Sequence, residues 1–470
     1  MKVEQIYTGC LAQGAYYIVS NGEAAIIDPL REVQPYIDRA EYDGVKIKYI
    51  FETHFHADFV SGHLTLAEKT GADIIYGPTA QTNFNAIIAK DNQSFKLGDV
   101  TLKVLHTPGH TMESMTILLL DEQGKEHAIF SGDTLFLGDV GRPDLAQKAT
   151  SLTQDELAGL LFESLRNKIM ILPDDVIVYP GHGAGSACGK NMMKETVDTL
   201  GHQKEINYAL RADMTKAEFI KEVTDGLLPP PAYFPQNVKM NKEGYENIDL
   251  ILSHGDKPLT AKEFKQLAEQ HDALVLDVRD PEEFSKVHIP GSVFIGINGN
   301  FAPWVGTLIK DVKQPILLVS PKGKEKETVT RLARVGFDKT LGYLEGGLTA
   351  WQEEGYETDS IMSVSAETVA QQFKNDITIF DVRTLTEYQS EHVENVINIP
   401  LSDINDQMAT FKAQEDNFYV HCKSGYRSMI AASILKARGI HNLYDIKGGF
   451  QALAQTNVPK TEFVCPTTLT

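Results

Sequence analysis

The chain has 470 residues, 42% of them apolar, which is length for about three domains and apolar content enough to bury a core in each. A formal net charge of −20, with no run of Lys or Arg, argues against nucleic acid or an anionic membrane surface as partner. No apolar run approaches the ~18 residues of a membrane span, and Cys10, Cys188, Cys422 and Cys465 lie far apart with no CxxC pair, the pattern of a reducing cytoplasm rather than a disulfide framework.

The opening stretch MKVEQIYTGCLAQGAYYIV lacks the charged-then-apolar pattern of a secretion signal and reads as a strand from its start. Through residue 200, short β-rich runs alternate with turns: AYYIVSNGEAAIIDP, IKYIFETH, ADIIYG, VTLKVLHTPGH, MTILLLD, HAIFSGD and VIVYPGHG. Helical periodicity appears at 62–70, 153–167 and 189–211. Histidine or aspartate recurs where the β-rich runs end. THFHADFVSGH holds His54, His56 and Asp58 at alternate positions; HTPGHT adds His110, FSGDTLF adds Asp133 and YPGHG adds His182. Singly, each reads as a turn or capping residue. Six in this order suit imidazole and carboxylate coordination of zinc or iron. Where a two-metal hydrolase would place one more histidine stands Phe59.

This order of residues resembles the metallo-β-lactamase superfamily over about residues 1–250, which implies two β-sheets stacked between helices. Dinuclear hydrolases of that family hold two metals with an HxHxDH motif. Phe59 offers no lone pair to a second ion, so this departure implies a mononuclear site. The departure and the segment GDVGRPDL (138–145) are most similar to the persulfide dioxygenases. That likeness implies one Fe(II) per chain, held by His54, His110 and Asp133, a two-histidine, one-carboxylate face with open positions for dioxygen and substrate. His56, Asp58 and His182 then orient the ligands and relay protons from behind them. Arg142 matches a family arginine near the thiol-substrate site, where its charge suits a substrate carboxylate; without the likeness it reads as a surface arginine. Cys188, in GHGAGSACGK, reads equally as a buried structural thiol and as a persulfide-handling one.

The proline-rich stretch LLPPPAYFPQNVKMN (227–241) cannot continue a helix and reads as a boundary. Beyond it the sequence repeats. LVLDVRDPEEFSKVHIPGSVFI (274–295) answers to TIFDVRTLTEYQSEHVENVINI (378–399), with Asp277 and Asp381, like His288 and His392, 104 positions apart. YLEGGLTAW and YDIKGGFQAL continue the match. Two tandem α/β units are expected, dividing the chain at 1–255, 256–358 and 359–470.

In the second unit, VHCKSGYRSMIAASIL (420–435) sets Cys422 at a strand end, before a tight loop and an apolar-periodic helix. Loop N–H groups and the helix N-terminus stabilise a thiolate or persulfide anion, and Arg427 adds charge. This CxxGxR loop, following DVR and EH, resembles the rhodanese sulfurtransferases, which implies Cys422 as sulfur carrier. The first unit reads VSPKGKEKETVTRL (319–332), with Ser320 where cysteine is needed and Glu325 where arginine is. A hydroxyl cannot carry sulfane sulfur by exchange, and a carboxylate repels its anion. The unit is expected to keep the fold without the transferase activity.

Along nearly the whole chain the resemblance is to fusions of persulfide dioxygenase and rhodanese: an α/β multidomain protein, an αββα sandwich followed by two rhodanese-like domains. It implies oxidation of a low-molecular-weight thiol persulfide by dioxygen to sulfite, with sulfur transfer giving thiosulfate, in sulfide detoxification. A cytoplasmic homo-oligomer, dimer or tetramer, is implied with it. The competing reading is a mononuclear zinc thioester hydrolase of glyoxalase II type that keeps His54, His56 and His110 as a three-histidine set. A non-catalytic sulfur-relay module is the third, opposed by the six polar site residues.

Overall fold

The computed structural model describes residues 1–145, 151–227, 229–373 and 377–465. The chain divides into two compact units, Met1–Ile248 with Ala333–Gly336, and Asp249–Leu332 with Phe337–Thr470.

The first unit is built on two six-stranded sheets whose strand order follows the chain. One comprises β1 (Lys2–Thr8), β2 (Gln13–Ser20), β3 (Glu23–Ile27), β4 (Lys46–Glu52), β5 (Asp73–Tyr76) and β6 (Ile87–Ile88). The other comprises β7 (Ser94–Leu97), β8 (Val100–His106), β9 (Met115–Leu120), β10 (Glu126–Gly132), β11 (Ile177–Pro180) and β12 (Asp198–Thr199). Asn21 and Gly22, both at positive φ, close the β2–β3 hairpin with the turn whose twist matches its strands.

Side-chain alternation sets the layers. Tyr16 and Ile18 of β2 join Phe51, Leu102, Val104, Ile117 and Phe130 in a cluster between the two sheets. Ala15 and Tyr17, one position off, pack on the opposite face with Tyr36 and Leu66 of the helices Gln34–Asp43 and His63–Thr70. The helices Gln154–Ser164 and Lys216–Thr224 cover the second sheet through Ala158, Leu161 and Phe219. The architecture is αββα.

Two segments differ from the sequence expectation. Of 189–211, only Leu200–Ile206 forms an α-helix. The Asp139 carboxylate accepts the N–H groups of Lys190 and Asn191, and Leu137 O accepts that of Met193, so these amides are committed to a loop. Within 227–241, whose Leu228 lies outside the described residues, a helix starts at Phe234 and runs to Glu243. Pro235 falls in its first turn, where the missing N–H costs nothing.

The second unit holds two five-stranded parallel sheets. Their strands are β13 (Pro258–Leu259), β14 (Leu274–Asp277), β15 (Val293–Phe294), β16 (Ile316–Val319) and β17 (Thr340–Leu344), then β18 (Ser363–Val364), β19 (Thr378–Asp381), β20 (Ile397–Asn398), β21 (Phe418–His421) and β22 (Leu443–Ile446). The spatial orders, β13-β17-β16-β14-β15 and β18-β22-β21-β19-β20, are the same topology twice. The sequence repeat is thus a repeat of fold: the αββα sandwich is followed by two parallel sheets of one topology.

Candidate metal centre and sulfur-transfer loop

His54 follows β4, His110 lies between β8 and β9, and Asp133 directly follows β10, so the ends of three strands meet. All three side chains are buried. Their protons have an assigned direction. Thr53 Oγ1 donates to Asp28 Oδ2 at 2.8 Å, which leaves it to accept from His54 Nδ1 at 3.0 Å. His110 Nδ1 donates to the Arg142 carbonyl at 2.8 Å. Both Nε2 atoms therefore keep a lone pair, and they face Asp133 Oδ2 at 3.9 and 3.5 Å. That oxygen is buried and has no hydrogen-bond partner. Two imidazole lone pairs and an orphaned carboxylate oxygen fit a metal ion, with outer partners fixing each ring. A Cβ on Gly181 would come 2.6 Å from Asp133 Oδ1, so this approach demands glycine.

His182, just past β11, bridges two carboxylates: Nδ1 lies 2.8 Å from Asp133 Oδ1 and Nε2 2.8 Å from Asp58 Oδ2. Burial alone would lower its pKa, but the two carboxylates outweigh burial and raise it well above the ordinary histidine value. Asp133 answers in kind; burial works to raise its carboxyl, yet His182, His54 and His110 hold it far below the usual range. Cys188 is buried beside this pair, and burial together with the charges of Asp133 and Asp58 pushes its thiol well up.

His56 is turned elsewhere. Its Nε2 lies 3.1 Å from Asp28 Oδ1 and 3.4 Å from Glu52 Oε2, and these three buried residues form their own cluster. The two carboxylates overcome burial and push His56 up to about 10. The three-histidine set His54, His56 and His110 is therefore not assembled; Asp133 completes the group with His54 and His110.

Arg142 is buried rather than on the surface. Its guanidinium pairs with Asp144 through Nε at 2.6 Å and Nη2 at 2.7 Å, and reaches the Ala187 carbonyl at 3.2 Å. Its backbone N–H donates to the carbonyl of Cys188 at 3.0 Å, so the arginine ties the His110 support to the Cys188 loop.

In the second unit, Cys422 directly follows β21 and is buried. Gly425, at φ 115°, turns the chain into the helix Tyr426–Ala437, and its N–H donates to Cys422 Sγ at 3.1 Å. Arg427 binds both oxygens of Glu387 at 2.6 and 2.8 Å. Burial opposes ionisation of Glu387, but Arg427 lowers its pKa to about 2. In the first copy, Ser320 follows β16 and its hydroxyl donates to Pro321 O at 3.2 Å, with Glu325 opening the next helix.

Four partners escape a reading of motifs alone: Asp28 and Glu52 for His56, Asp144 for Arg142, and Glu387 for Arg427. Two of them left a trace: Asp144 stands in GDVGRPDL two residues after Arg142, and the repeat offset of 104 places Glu387 opposite Glu283.

The family model of the metallo-beta-lactamase superfamily matches residues 8–182, and that of the rhodanese-like domain matches 260–354 and 365–456. A hydroxyacylglutathione hydrolase of Polaromonas sp. is 30% identical over 243 residues, 45% of this chain and 86% of that protein. A probable hydroxyacylglutathione hydrolase of Schizosaccharomyces pombe is 31% identical over 163 residues, 34% of this chain, and the match spans 59% of that relative's length. Among solved structures, a metallo-beta-lactamase from Staphylococcus aureus is similar at a TM-score of 0.64 and 32% identity, over 73% of this chain and 98% of its own.

Proposed function

This chain belongs to the metallo-beta-lactamase superfamily and carries two rhodanese-like domains after that fold, and from this premise we propose that it is a persulfide dioxygenase joined to a sulfurtransferase. The reaction in the first domain is RSSH + O₂ + H₂O → RSH + sulfite + 2 H⁺, with R a low-molecular-weight thiol carrier. Cys422 carries sulfane sulfur in the last domain, supplying the persulfide or converting sulfite to thiosulfate. The observation that supports this reading is the donor set: His54, His110 and Asp133 gather, while His56 is held by Asp28 and Glu52. Fe(II) held by His54, His110 and Asp133 would supply the activation of dioxygen toward a persulfide sulfur.

This chain's own residues do the rest. Thr53 and the Arg142 carbonyl fix the two imidazoles in one tautomer each. His182 and Asp58 form a buried pair able to hold or pass a proton next to Asp133. Arg142 stands as the anchor for a substrate carboxylate, which would have to displace Asp144. A homo-oligomer in a reducing cytoplasm completes the reading, in keeping with four cysteines outside any disulfide. No helix among the described residues is long and apolar enough to cross a membrane.

The curated relatives are named hydroxyacylglutathione hydrolases, which supports a hydrolase as the second reading; we state it as a mononuclear zinc thioester hydrolase. It needs His56 as a ligand, which the Asp28–Glu52 pair opposes. Metal analysis of anaerobically purified protein, with oxygen uptake on a glutathione or coenzyme A persulfide, separates the two. One iron and persulfide-dependent uptake supports the dioxygenase; zinc with thioester turnover and no uptake overturns it.

A further inference from the structure

The helix that follows the Cys422 loop is fastened to the first rhodanese-like copy. Its first residue, Tyr426, donates from Oη to the Gly296 carbonyl at 2.7 Å, and its ring meets that of Phe294 edge-on at 6.1 Å. Two glycines make the room. A Cβ on Gly299 would stand 2.2 Å from Tyr426 Cζ, and one on Gly296 3.2 Å from Cε2. Neither glycine has positive φ, so the position requires space rather than conformational freedom. Further along the same helix, Ser433 Oγ accepts the N–H of Phe294 at 2.9 Å. That N–H belongs to β15, the edge of its sheet, which the helix thereby satisfies. By the repeat offset of 104, Gly296 and Gly299 correspond to Pro400 and Asp403, so the second copy carries side chains where the first has glycines.

We propose that the turn 296–299 of the first copy is a socket for Tyr426, and that Tyr426 is a positioning residue for the Cys422 loop. The proposal rests on the reading of Cys422 as sulfur carrier. Tyr426 sits between Gly425, whose N–H reaches Cys422 Sγ, and Arg427, which flanks the loop. A displaced Tyr426 moves both of these groups together. A copy that has lost the cysteine and arginine of its own loop still supplies the socket, which needs its backbone and not its chemistry.

The test uses the full chain and thiosulfate–cyanide transfer. Gly299→Ala pushes the ring out and should lower kcat on the order of tenfold, since small misplacements carry such costs. Tyr426→Phe keeps the ring seated without the hydrogen bond and should lose less; Tyr426→Ala should lose about as much as Gly299→Ala. In the Tyr426→Ala background, Gly299→Ala should cost nothing further, because the collision is gone. The thiosulfate KM should move less than kcat, and persulfide-dependent oxygen uptake should stay at the wild-type level in every variant. Equal losses from Gly299→Ala in both backgrounds, or a wild-type rate in Tyr426→Ala, would overturn the socket. If Gly299→Ala does not fold, the order of Tyr426→Ala below Tyr426→Phe below wild type decides. Wild-type protein that takes up no sulfur on Cys422 from thiosulfate would instead refute the carrier reading; loading of Cys422 with full-rate variants refutes the socket alone.

Discussion

The ring of Phe59 lies 4.3 Å from that of His56, the two planes 30° apart. Phe59 is fully buried, and its ring offers no lone pair to a second ion. Behind it, the carboxylates of Asp28 and Glu52 lie against His56 Nε2 and push the imidazole up to about 10 against the effect of burial. The candidate group of His54, His110 and Asp133 thus takes one residue of the His-x-His motif, while the other lies with Asp28 and Glu52.

His110→Ala should abolish metal binding at the centre and persulfide-dependent oxygen uptake, while thiosulfate–cyanide transfer stays near the wild-type rate. The motive is that His110 Nε2 faces the orphaned Asp133 Oδ2 in one unit, and Cys422 lies in the other. Elemental analysis beside the two assays checks it. Two tightly bound zinc ions in the native protein would sink the mononuclear iron reading.

His56→Ala should keep one metal per chain but fold less stably. Removing the imidazole strands two buried carboxylates, and breaking such a cluster costs ~3–5 kcal/mol. Thermal melting and metal content, measured on the same sample, decide. Loss of the metal with little loss of stability would restore the three-histidine zinc set.

Asp445, buried in β22, is pushed up to about 6 by burial, and donation from Ser428 Oγ at 2.6 Å only partly offsets this. A carboxyl raised in the folded state binds its proton more tightly there than in the unfolded chain. Its contribution is therefore destabilising above about 6 and fades as pH falls to the unfolded value near ~3.9. Asp445→Asn should stabilise the rhodanese-like unit at pH 7.5, by roughly 3 kcal/mol for a shift of about two units, and by nothing near pH 4. Denaturant melts at the two pH values test this; an equal effect at both would show that the charge is not the cause.

The parts legible in sequence were those whose signal is local or repeated. His54, His110 and Asp133 stand at strand ends, where turn residues are expected but a convergent polar set is not. Asp277 and Asp381 declared the duplication, and each closes the equivalent strand. What stayed hidden depends on partners distant in the chain. The direction of His56 is set by Asp28 and Glu52, and the loop at 190–193 by acceptors at Asp139 and Leu137. The room beside Gly299 could not be read at all, since a glycine in a turn says nothing of what fills the space.

Ser320→Ala should leave sulfur transfer unchanged, because Ser320 only donates to its neighbour's carbonyl. Restoring cysteine alone, Ser320→Cys, should not create a second active loop. Glu325 aligns with Arg427 and Glu283 with Glu387, so the first copy has two carboxylates in sequence where the second has an ion pair. Thiosulfate–cyanide transfer by the Ser320 variants in a Cys422→Ser background reads this directly; measurable turnover there would show that the first copy is not silent.

Cys422 should be the one cysteine required for sulfur transfer. Cys10 follows the first strand, Cys465 is exposed near the carboxyl end, and Cys188 is a buried thiol whose ionisation is opposed by burial, Asp133 and Asp58. Cys422 alone has a strand-end position, the Gly425 N–H on its sulfur and a helix N-terminus directly after. Thiosulfate should leave one added sulfur, a gain of about 32 Da by the sulfane-transfer chemistry of a thiolate, on the peptide that carries Cys422. Cys422→Ser should lose thiosulfate–cyanide transfer yet still consume oxygen when a small-molecule persulfide is supplied. Loss of oxygen uptake in that variant, with the metal still bound, would mean that Cys422 delivers sulfur obligatorily to the first domain, and two separable sites would have to be given up.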